Sequence, residues 1–293
     1  MPTLTLIYVT YNSAATIRAA LDSALALHLP PNLSMRVVVV DNASQDGTPA
    51  LITAYYPQVQ VLVNPKNVGF AAANNLAMQR FPAAYFGLVN ADVRLAEAWA
   101  EALSAAFESD PQLGVAGSKI FFGESGILQH AGAGVRPNGL TYHIGTGERD
   151  EGQHDQPRAV DYVMGAAFMV RGDLAAALGY LHTGYFMYFE ETELCAQARR
   201  LGYAVRYVPT AVAYHDERHS LSGKPSLKYL WRYHRSRYLF AARNLDPRTF
   251  CAAEQAWLRG SARDVRYRAL LHTARLSQVR LWLRHRWLLT LRA

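Results

Sequence analysis

The stretch Tyr85-Phe86-Gly87-Leu88-Val89-Asn90-Ala91-Asp92 decides how the chain is read. Its first five residues are mostly apolar, aromatic or β-branched, and they run straight into an Asn-x-Asp. Such a run suits a strand buried on both faces of a parallel sheet. It delivers its polar tail to the carboxyl edge, where open α/β sheets bind ligands. Asp92 has two readings there. It is a ligand for a hard divalent cation, with Asn90 adding an amide oxygen or a ribose contact, or it is the N-cap of a helix beginning at Ala96.

Upstream, Leu4–Val9 reads as a first strand ending in Thr10-Tyr11-Asn12, and Met35–Val40 as a second ending in Asp41-Asn42-Ala43-Ser44-Gln45-Asp46-Gly47. Gln60–Val63 is a short third strand, followed by Asn64-Pro65-Lys66-Asn67-Val68-Gly69. Between them, Ile17, Leu21 and Leu25 recur at helical spacing behind Ser13 as a cap, and Thr48-Pro49 opens a second helix. Phe70–Arg80 is a third. Alternating helices with continuously apolar strands predict an α/β fold with a single, mostly parallel, doubly wound sheet. The polar strand ends then converge on one edge. Any one of them is explained by turn duty; four together point to a site.

Downstream, Ala96–Ser109 has a helical pattern and Leu113–Ile120 a strand pattern. Residues 121–158, rich in Gly and His, predict hairpins or loops over the site. Val160–Val170 is strand-like but interrupted by Gly165-Ala166-Ala167, a mark of either close packing or ligand approach. In Tyr185-Phe186-Met187-Tyr188-Phe189-Glu190-Glu191-Thr192-Glu193 three acids follow an aromatic run and open a helix that Gly202 ends. The helix dipole favours acids there, yet three in four residues exceed that need. A carboxylate pressed against aromatics has reason to carry a raised pKa, as a general base requires. Ala204–Val208 is a late strand followed by Tyr214-His215, and His215 is a candidate metal ligand beside Asp92.

Composition bounds the function. Half of the 293 residues are hydrophobic, so the chain is globular. No apolar run approaches the ~20 residues of a membrane span. The N-terminus lacks a basic n-region, so no secretory signal is expected. Two cysteines make no disulfide framework, and reduced cytosolic thiols are expected. Residues 220–293 hold about sixteen Lys/Arg against about three acids, which leaves the first 219 residues net acidic. An acidic globule with a basic tail speaks against a nucleic-acid binder and for a partner or membrane surface. Thr10-Tyr11-Asn12 lacks the glycines of a dinucleotide cradle, and no Gly-x-x-x-x-Gly-Lys-Ser/Thr loop occurs. A bound nucleotide would therefore need its phosphates neutralised by a divalent cation.

These pieces resemble the family 2 glycosyltransferases, inverting enzymes of the GT-A fold, and most of all their rhamnosyltransferase-like branch. The resemblance rests on Thr10-Tyr11-Asn12, Val40–Gly47, Asn64–Ala71, Asn90-Ala91-Asp92, Gly165-Ala166-Ala167, Met187–Glu191 and Tyr214-His215 in order, and covers about residues 3–240. It implies a nucleoside-diphosphate-sugar donor, bound through Thr10, Tyr11, Asn12, Asp41, Asn42, Asn67, Gly69 and Asn90. It implies Mg²⁺ or Mn²⁺ on Asp92 and His215, and a catalytic base at Glu191 or Glu190. The family usually has Asp where Glu191 stands, and an acid where Asn90 stands. The implied acceptor is a hydroxyl of a glycan or lipid-linked glycan in bacterial surface polysaccharide synthesis, with no nucleic acid among the partners.

The expected organisation is a catalytic domain over 1–225, its nucleotide-sugar half about 1–120 and its acceptor half about 121–225. A basic amphipathic helical extension over 226–293 would lie on an anionic membrane surface. That places the protein in the cytoplasm, peripheral on the inner face of the membrane. A nucleotidyltransferase would want a Gly-rich, Arg-containing loop after the first strand, which is absent. A noncatalytic nucleotide-sugar or membrane-binding descendant of a transferase is the other alternative.

Overall fold

The computed structural model describes residues 1–216 and 226–261, together with Leu271 and Thr273. In chain order the elements are β1 (Thr3–Thr10), α1 (Ile17–Leu25), β2 (Ser34–Asp41), α2 (Thr48–Tyr55), β3 (Gln60–Val63), α3 (Phe70–Arg80), β4 (Tyr85–Asn90), β5 (Val93–Leu95) and α4 (Trp99–Ser109). There follow β6 (Leu113–Phe122), β7 (Leu128–His130), β8 (Ala133–Val135), β9 (Thr141–His143), β10 (Arg158–Ala159), β11 (Ala167–Arg171), α5 (Gly172–Ala177), α6 (Glu190–Arg200), β12 (Ala204–His215), α7 (Leu227–Asn244) and α8 (Pro247–Ser261).

A ten-stranded sheet runs in the order β10-β12-β6-β11-β4-β1-β2-β3, with β5 on β12 and β7 on β6. From β4 to β3 every pairing is parallel. Val38, Val39 and Val40 are fully buried there, because helices cover both faces. On the other side the sheet is mixed. β11 is antiparallel to both β4 and β6, and β12 is parallel to β6. Gly87 admits this packing: a Cβ on it would lie 2.7 Å from a Leu6 methyl and 3.2 Å from the Trp99 ring. The Trp99 indole N–H donates to Ser118 Oγ at 2.7 Å, so the largest core side chain has its one donor satisfied.

Register levels the strand ends. Thr10 is paired with Asp41, Asp41 with Val63, and Val9 with Asn90. The polar segments after β1, β2, β3 and β4 therefore leave the sheet along one edge. Local starts differ in detail from the sequence expectations. Ser13 offers its backbone carbonyl, not its hydroxyl, to the first turn of α1. Gly47, at φ 84°, stands at the N-cap of α2, and Thr48 lies inside the helix with its hydroxyl on Asp46.

The chain divides into two compact units. The first comprises Met1–Gly134, Tyr142–Phe186 and Glu190–Ser220 and contains the large sheet. The second comprises Val135–Thr141, Met187–Phe189 and Leu221–Ala293. It has its own core. Arg237 is fully buried and makes a bidentate pair with Glu254, at 2.7 Å for both bonds. Arg237 also donates to the Asn138 carbonyl at 2.8 Å, and the Tyr238 hydroxyl donates to Glu254 at 2.9 Å. One of the tail's basic groups is thus structural, joining α7 to α8. The remainder of the expected amphipathic extension, 262–293, falls outside the described residues apart from Leu271 and Thr273.

Candidate active site

The edge after β1 and β2 is a closed hydrogen-bond network. Asp41 is fully buried, and its carboxylate accepts from the Thr10 hydroxyl at 2.8 Å, the Ser44 amide at 2.8 Å and the Ser44 hydroxyl at 2.5 Å. Ser44 Oγ in turn accepts from Asn12 N at 2.8 Å, while Asn12 Oδ1 accepts from Gln45 N at 2.9 Å. Asn12 has φ 54° and Ala43 φ 64°, left-handed conformations that the network sustains. Tyr11 stands between these anchored residues with its side chain projecting, 55% exposed. Thr10 and Asp41 hold the loops, and Tyr11 is the group they present.

The next loop is built the same way. The Asn42 amide donates to the Gly69 carbonyl at 3.2 Å and accepts from Asn64 at 2.9 Å; Asn67 Oδ1 accepts from Gly69 N at 3.0 Å. Gly69 has φ 87°, and a Cβ there would sit 2.6 Å from the Phe186 carbonyl oxygen, which the Phe70 amide reaches at 3.1 Å. The start of α3 is thereby tied to the segment leading into α6, which carries the acids.

Asp92 is not a helix cap, because β5 intervenes before α4. Strand β5 pairs with the end of β12, and Asp216 N donates to the Asp92 carbonyl at 2.9 Å. This pairing places His215 Nε2 at 3.3 Å from Asp92 Oδ1. The other ring nitrogen, Nδ1, lies 2.9 Å from Gln129 Oε1. An amide oxygen there fixes Nδ1 as the protonated nitrogen, so the Nε2 lone pair converges with the carboxylate on a place for one cation. An imidazole and a carboxylate facing each other with the second imidazole nitrogen engaged fit a divalent ion. No cluster of three or more His, Cys, Asp or Glu suited to a metal occurs among the described residues, so the remaining ligands would come from substrate and water.

On the flank of β4 away from β1, antiparallel β11 brings Ala166 beside Asn90, whose amide donates to the Ala166 carbonyl at 2.9 Å. Gly165 lies next to it, and a Cβ at Gly165 would fall 3.3 Å from the Glu191 carboxyl carbon. Of the two sequence readings of this small-residue run, Gly165 answers to close packing. Burial pushes the Glu191 carboxyl up to about 7, against the backbone N–H groups of Glu191, Thr192 and Gly165 that favour the charged form. Glu190 and Glu193 are buried, and the Tyr185 hydroxyl donates to Glu193. Glu193 orders the helix start. Tyr188 and Phe189, immediately before these acids, have φ of 70° and 73°. Two successive non-glycine residues in that region cost about 1–3 kcal/mol each, and such strain collects at functional sites.

The structure thus brings Asp92 to His215 through the pairing of β5 with β12, and Glu191 to Gly165 beside the end of β4. Gln129 was not anticipated, because it falls in the segment read as loops; its only signal was the alternation of Leu128-Gln129-His130. Phe186 was seen only as part of an aromatic run.

A mixed α/β sheet of this order, with polar loops, an Asn-x-Asp and a half-buried glutamate gathered at its carboxyl edge, is the architecture of a GT-A glycosyltransferase. The fold is similar to the mannosyltransferase PcManGT from Pyrobaculum calidifontis, solved with GDP-Man and Mn2+: TM-score 0.60, 20% identity, 93% of this chain and 73% of that one. It is also similar to S. aureus TarS 1-349 in complex with UDP-GlcNAc, with TM-score 0.62, 16% identity, and 93% and 79% coverage.

The chain belongs to glycosyl transferase family 2, whose model matches residues 5–177. It is 26% identical over 261 residues to the N-acetylglucosaminyl-diphospho-decaprenol L-rhamnosyltransferase of Mycobacterium tuberculosis, covering 82% of this chain and 84% of that protein. The protein is a glycosyltransferase of rhamnosyltransferase-like type.

Proposed function

We propose that the protein transfers a sugar, rhamnose in the first instance, with inversion from a nucleoside-diphosphate donor to a hydroxyl of a lipid-linked glycan acceptor in surface polysaccharide synthesis. The relative from M. tuberculosis is named for a rhamnosyl transfer to a diphospho-decaprenol acceptor and extends over most of the chain. The observation that carries the mechanism is the Glu191 carboxyl held against Gly165, raised to about 7, beside the strand end that bears Asn90 and Asp92.

In this reading the exposed Tyr11 ring stacks on the nucleotide base. Asn12, Asn42, Asn67, Gly69 and Asn90 line the nucleotide and ribose pocket, with Thr10 and Asp41 bracing it. Asp92 and His215 hold Mg²⁺ or Mn²⁺, which when bound neutralises the charge that develops on the diphosphate. Glu191 takes the proton of the acceptor hydroxyl as its oxygen bonds to the anomeric carbon; the bond from that carbon to the diphosphate oxygen breaks, and the nucleoside diphosphate leaves. A carboxyl near neutrality is matched to this task, being largely ionised at pH 8 and basic enough to accept the proton. Residues 1–120 then serve the donor and 121–225 the acceptor.

Residues 226–293 are the proposed membrane-facing part, at the inner face of the cell membrane. Among the described residues no helix is long and apolar enough to cross a membrane. The first turns of α7 do expose Leu227, Tyr229 and Trp231, at 65%, 42% and 36%, with Lys228 among them. Apolar and aromatic side chains mixed with basic ones are what an anionic interface binds.

The test is donor binding followed by turnover. Thermal shift with a panel of nucleoside diphosphates and nucleotide sugars, with and without Mn²⁺ or Mg²⁺, should give a metal-dependent shift for one donor in wild type and none in Asp92→Ala. Transfer from that donor to a lipid-linked acceptor should then be lost in Glu191→Gln and retained in Glu190→Gln. A folded wild type that responds to no donor would sink the assignment.

A further inference from the structure

Strand β7 is three residues long, and its two polar side chains serve the two parts of the candidate site. Successive side chains of a strand point to opposite faces. Gln129 is the residue at 2.9 Å from His215 Nδ1, on the side of Asp92. His130 is fully buried, and its Nε2 lies 3.3 Å from the backbone amide of Met164, the residue before Gly165. Its Nδ1 lies 2.8 Å from His143 Nδ1, and His143 Nε2 lies 3.3 Å from the Tyr162 hydroxyl.

Proton placement in this chain follows from its one unambiguous donor. The Met164 N–H makes His130 Nε2 an acceptor, so the proton of that ring sits on Nδ1 and is given to His143 Nδ1. The proton of His143 then sits on Nε2 and points at Tyr162. An added proton on either ring would set two N–H groups against each other, so the geometry requires two neutral imidazoles. Their environment agrees. Burial, with His143 alongside, drives His130 well below the ordinary histidine value, and burial takes His143 down to about 4.

We propose that β7 is the positioning strand of the active site: Gln129 fixes the tautomer and aim of His215, and His130, backed by His143 and Tyr162, fixes the Met164–Gly165 bend against which the Glu191 carboxyl rests. None of these residues touches the reacting atoms; each acts through the residue it holds. The inference rests on Asp92 and His215 as the metal pair and Glu191 as the base. Among the described residues, Glu190 and Glu193 flank Glu191 on its own helix, and Cys195 lies one turn along, its thiol feeling both Glu191 and Arg199. His130, His143 and Tyr162 lie on the side of the bend.

The first test counts free Mn²⁺ by electron paramagnetic resonance, with and without UDP, GDP or dTDP. Gln129→Leu should weaken Mn²⁺ binding by about 10–100-fold, and Gln129→Glu, which keeps an acceptor for Nδ1, should restore it. A folded Gln129→Leu with wild-type affinity overturns the inference while leaving the metal pair in place. A wild type that binds no Mn²⁺ under any of these conditions overturns the metal pair itself, and the inference with it.

The second test reads the histidines. ¹⁵N spectra of wild type at pH 6 should show one neutral ring protonated at Nδ1 (His130) and one at Nε2 (His143); an imidazolium at either position refutes the network. In kcat/KM against pH, His130→Phe should move the limb set by Glu191 to higher pH, because the Gly165 N–H no longer favours the charged carboxylate. His130→Gln, whose amide oxygen can accept from Met164, should leave it near wild type. An unmoved limb in folded His130→Phe overturns the positioning role, and the wild-type spectra decide the matter should that variant not fold.

Discussion

Asp41 and Glu191 are both carboxylates at the carboxyl edge of one sheet, and their surroundings differ. Asp41 is fully buried, but three hydrogen bonds from Thr10 and Ser44 reach its carboxylate. A carboxylate so supplied is a structural anchor, since the buried Thr10 hydroxyl it holds would otherwise be unpaired. Glu191 is half-buried, with backbone N–H groups alone to offset the cost of its charge, and its carboxyl rises to about 7. It can exchange a proton near neutrality. Residue type and place at a strand or helix end do not separate the two roles; the donors around each carboxylate do.

The contrast breaks most sharply on activity. Glu191→Gln should lower kcat by about 10²–10⁴-fold, the usual range for removing a general base. Donor binding should stay close to wild type, as checked by titration and single-turnover assays. Asp41→Asn should do the reverse. Replacing one oxygen by an NH₂ group sets donor against donor, at a cost of about 1–3 kcal/mol for each partner left unpaired. It should appear as a lowered denaturation midpoint, with the chemical step spared in the protein that remains folded.

The pH dependence sharpens the comparison with a smaller effect. As the proposed base, Glu191 would work ionised, so kcat/KM should climb as pH rises through about 7 and flatten above it. Stability runs the other way. The folded pKa is raised above the ordinary glutamate value of 4.5, so the folded state holds this proton more tightly than the unfolded chain. The corresponding stability is fully present below pH 4.5 and is lost as pH rises through about 7. The melting temperature of Glu191→Gln relative to wild type should therefore increase between pH 4.5 and pH 8. A difference that stays flat would mean that the Glu191 carboxyl is not raised.

Much of the architecture was legible in the sequence because burial on both faces leaves a local trace. Val37–Val40 and Phe86–Val89 are continuous apolar runs, and β2 and β4 fall where those runs do. The acids of Glu190–Glu193 sit at the first turn of α6 as the dipole favours. Less visible were β5, three residues long and packed on a strand more than a hundred positions away, and antiparallel β11, whose direction no apolar pattern encodes. Missing β5 is what left a helix cap open as a reading of Asp92.

By itself the sequence determined the order of strands and helices, the polar segments that leave one edge, and the residue types available there for a nucleotide, a cation and a base. Tertiary structure decided which of them do what. Gln129 reaches His215 across 86 positions and His130 reaches Met164 across 34. Gly165 meets the Glu191 carboxyl only because β11 inserts beside β4. The physical reason is that burial follows from nearest neighbours along the chain and so leaves a local period. The protonation and aim of a side chain depend on donors and acceptors that only long-range pairing brings within hydrogen-bonding distance.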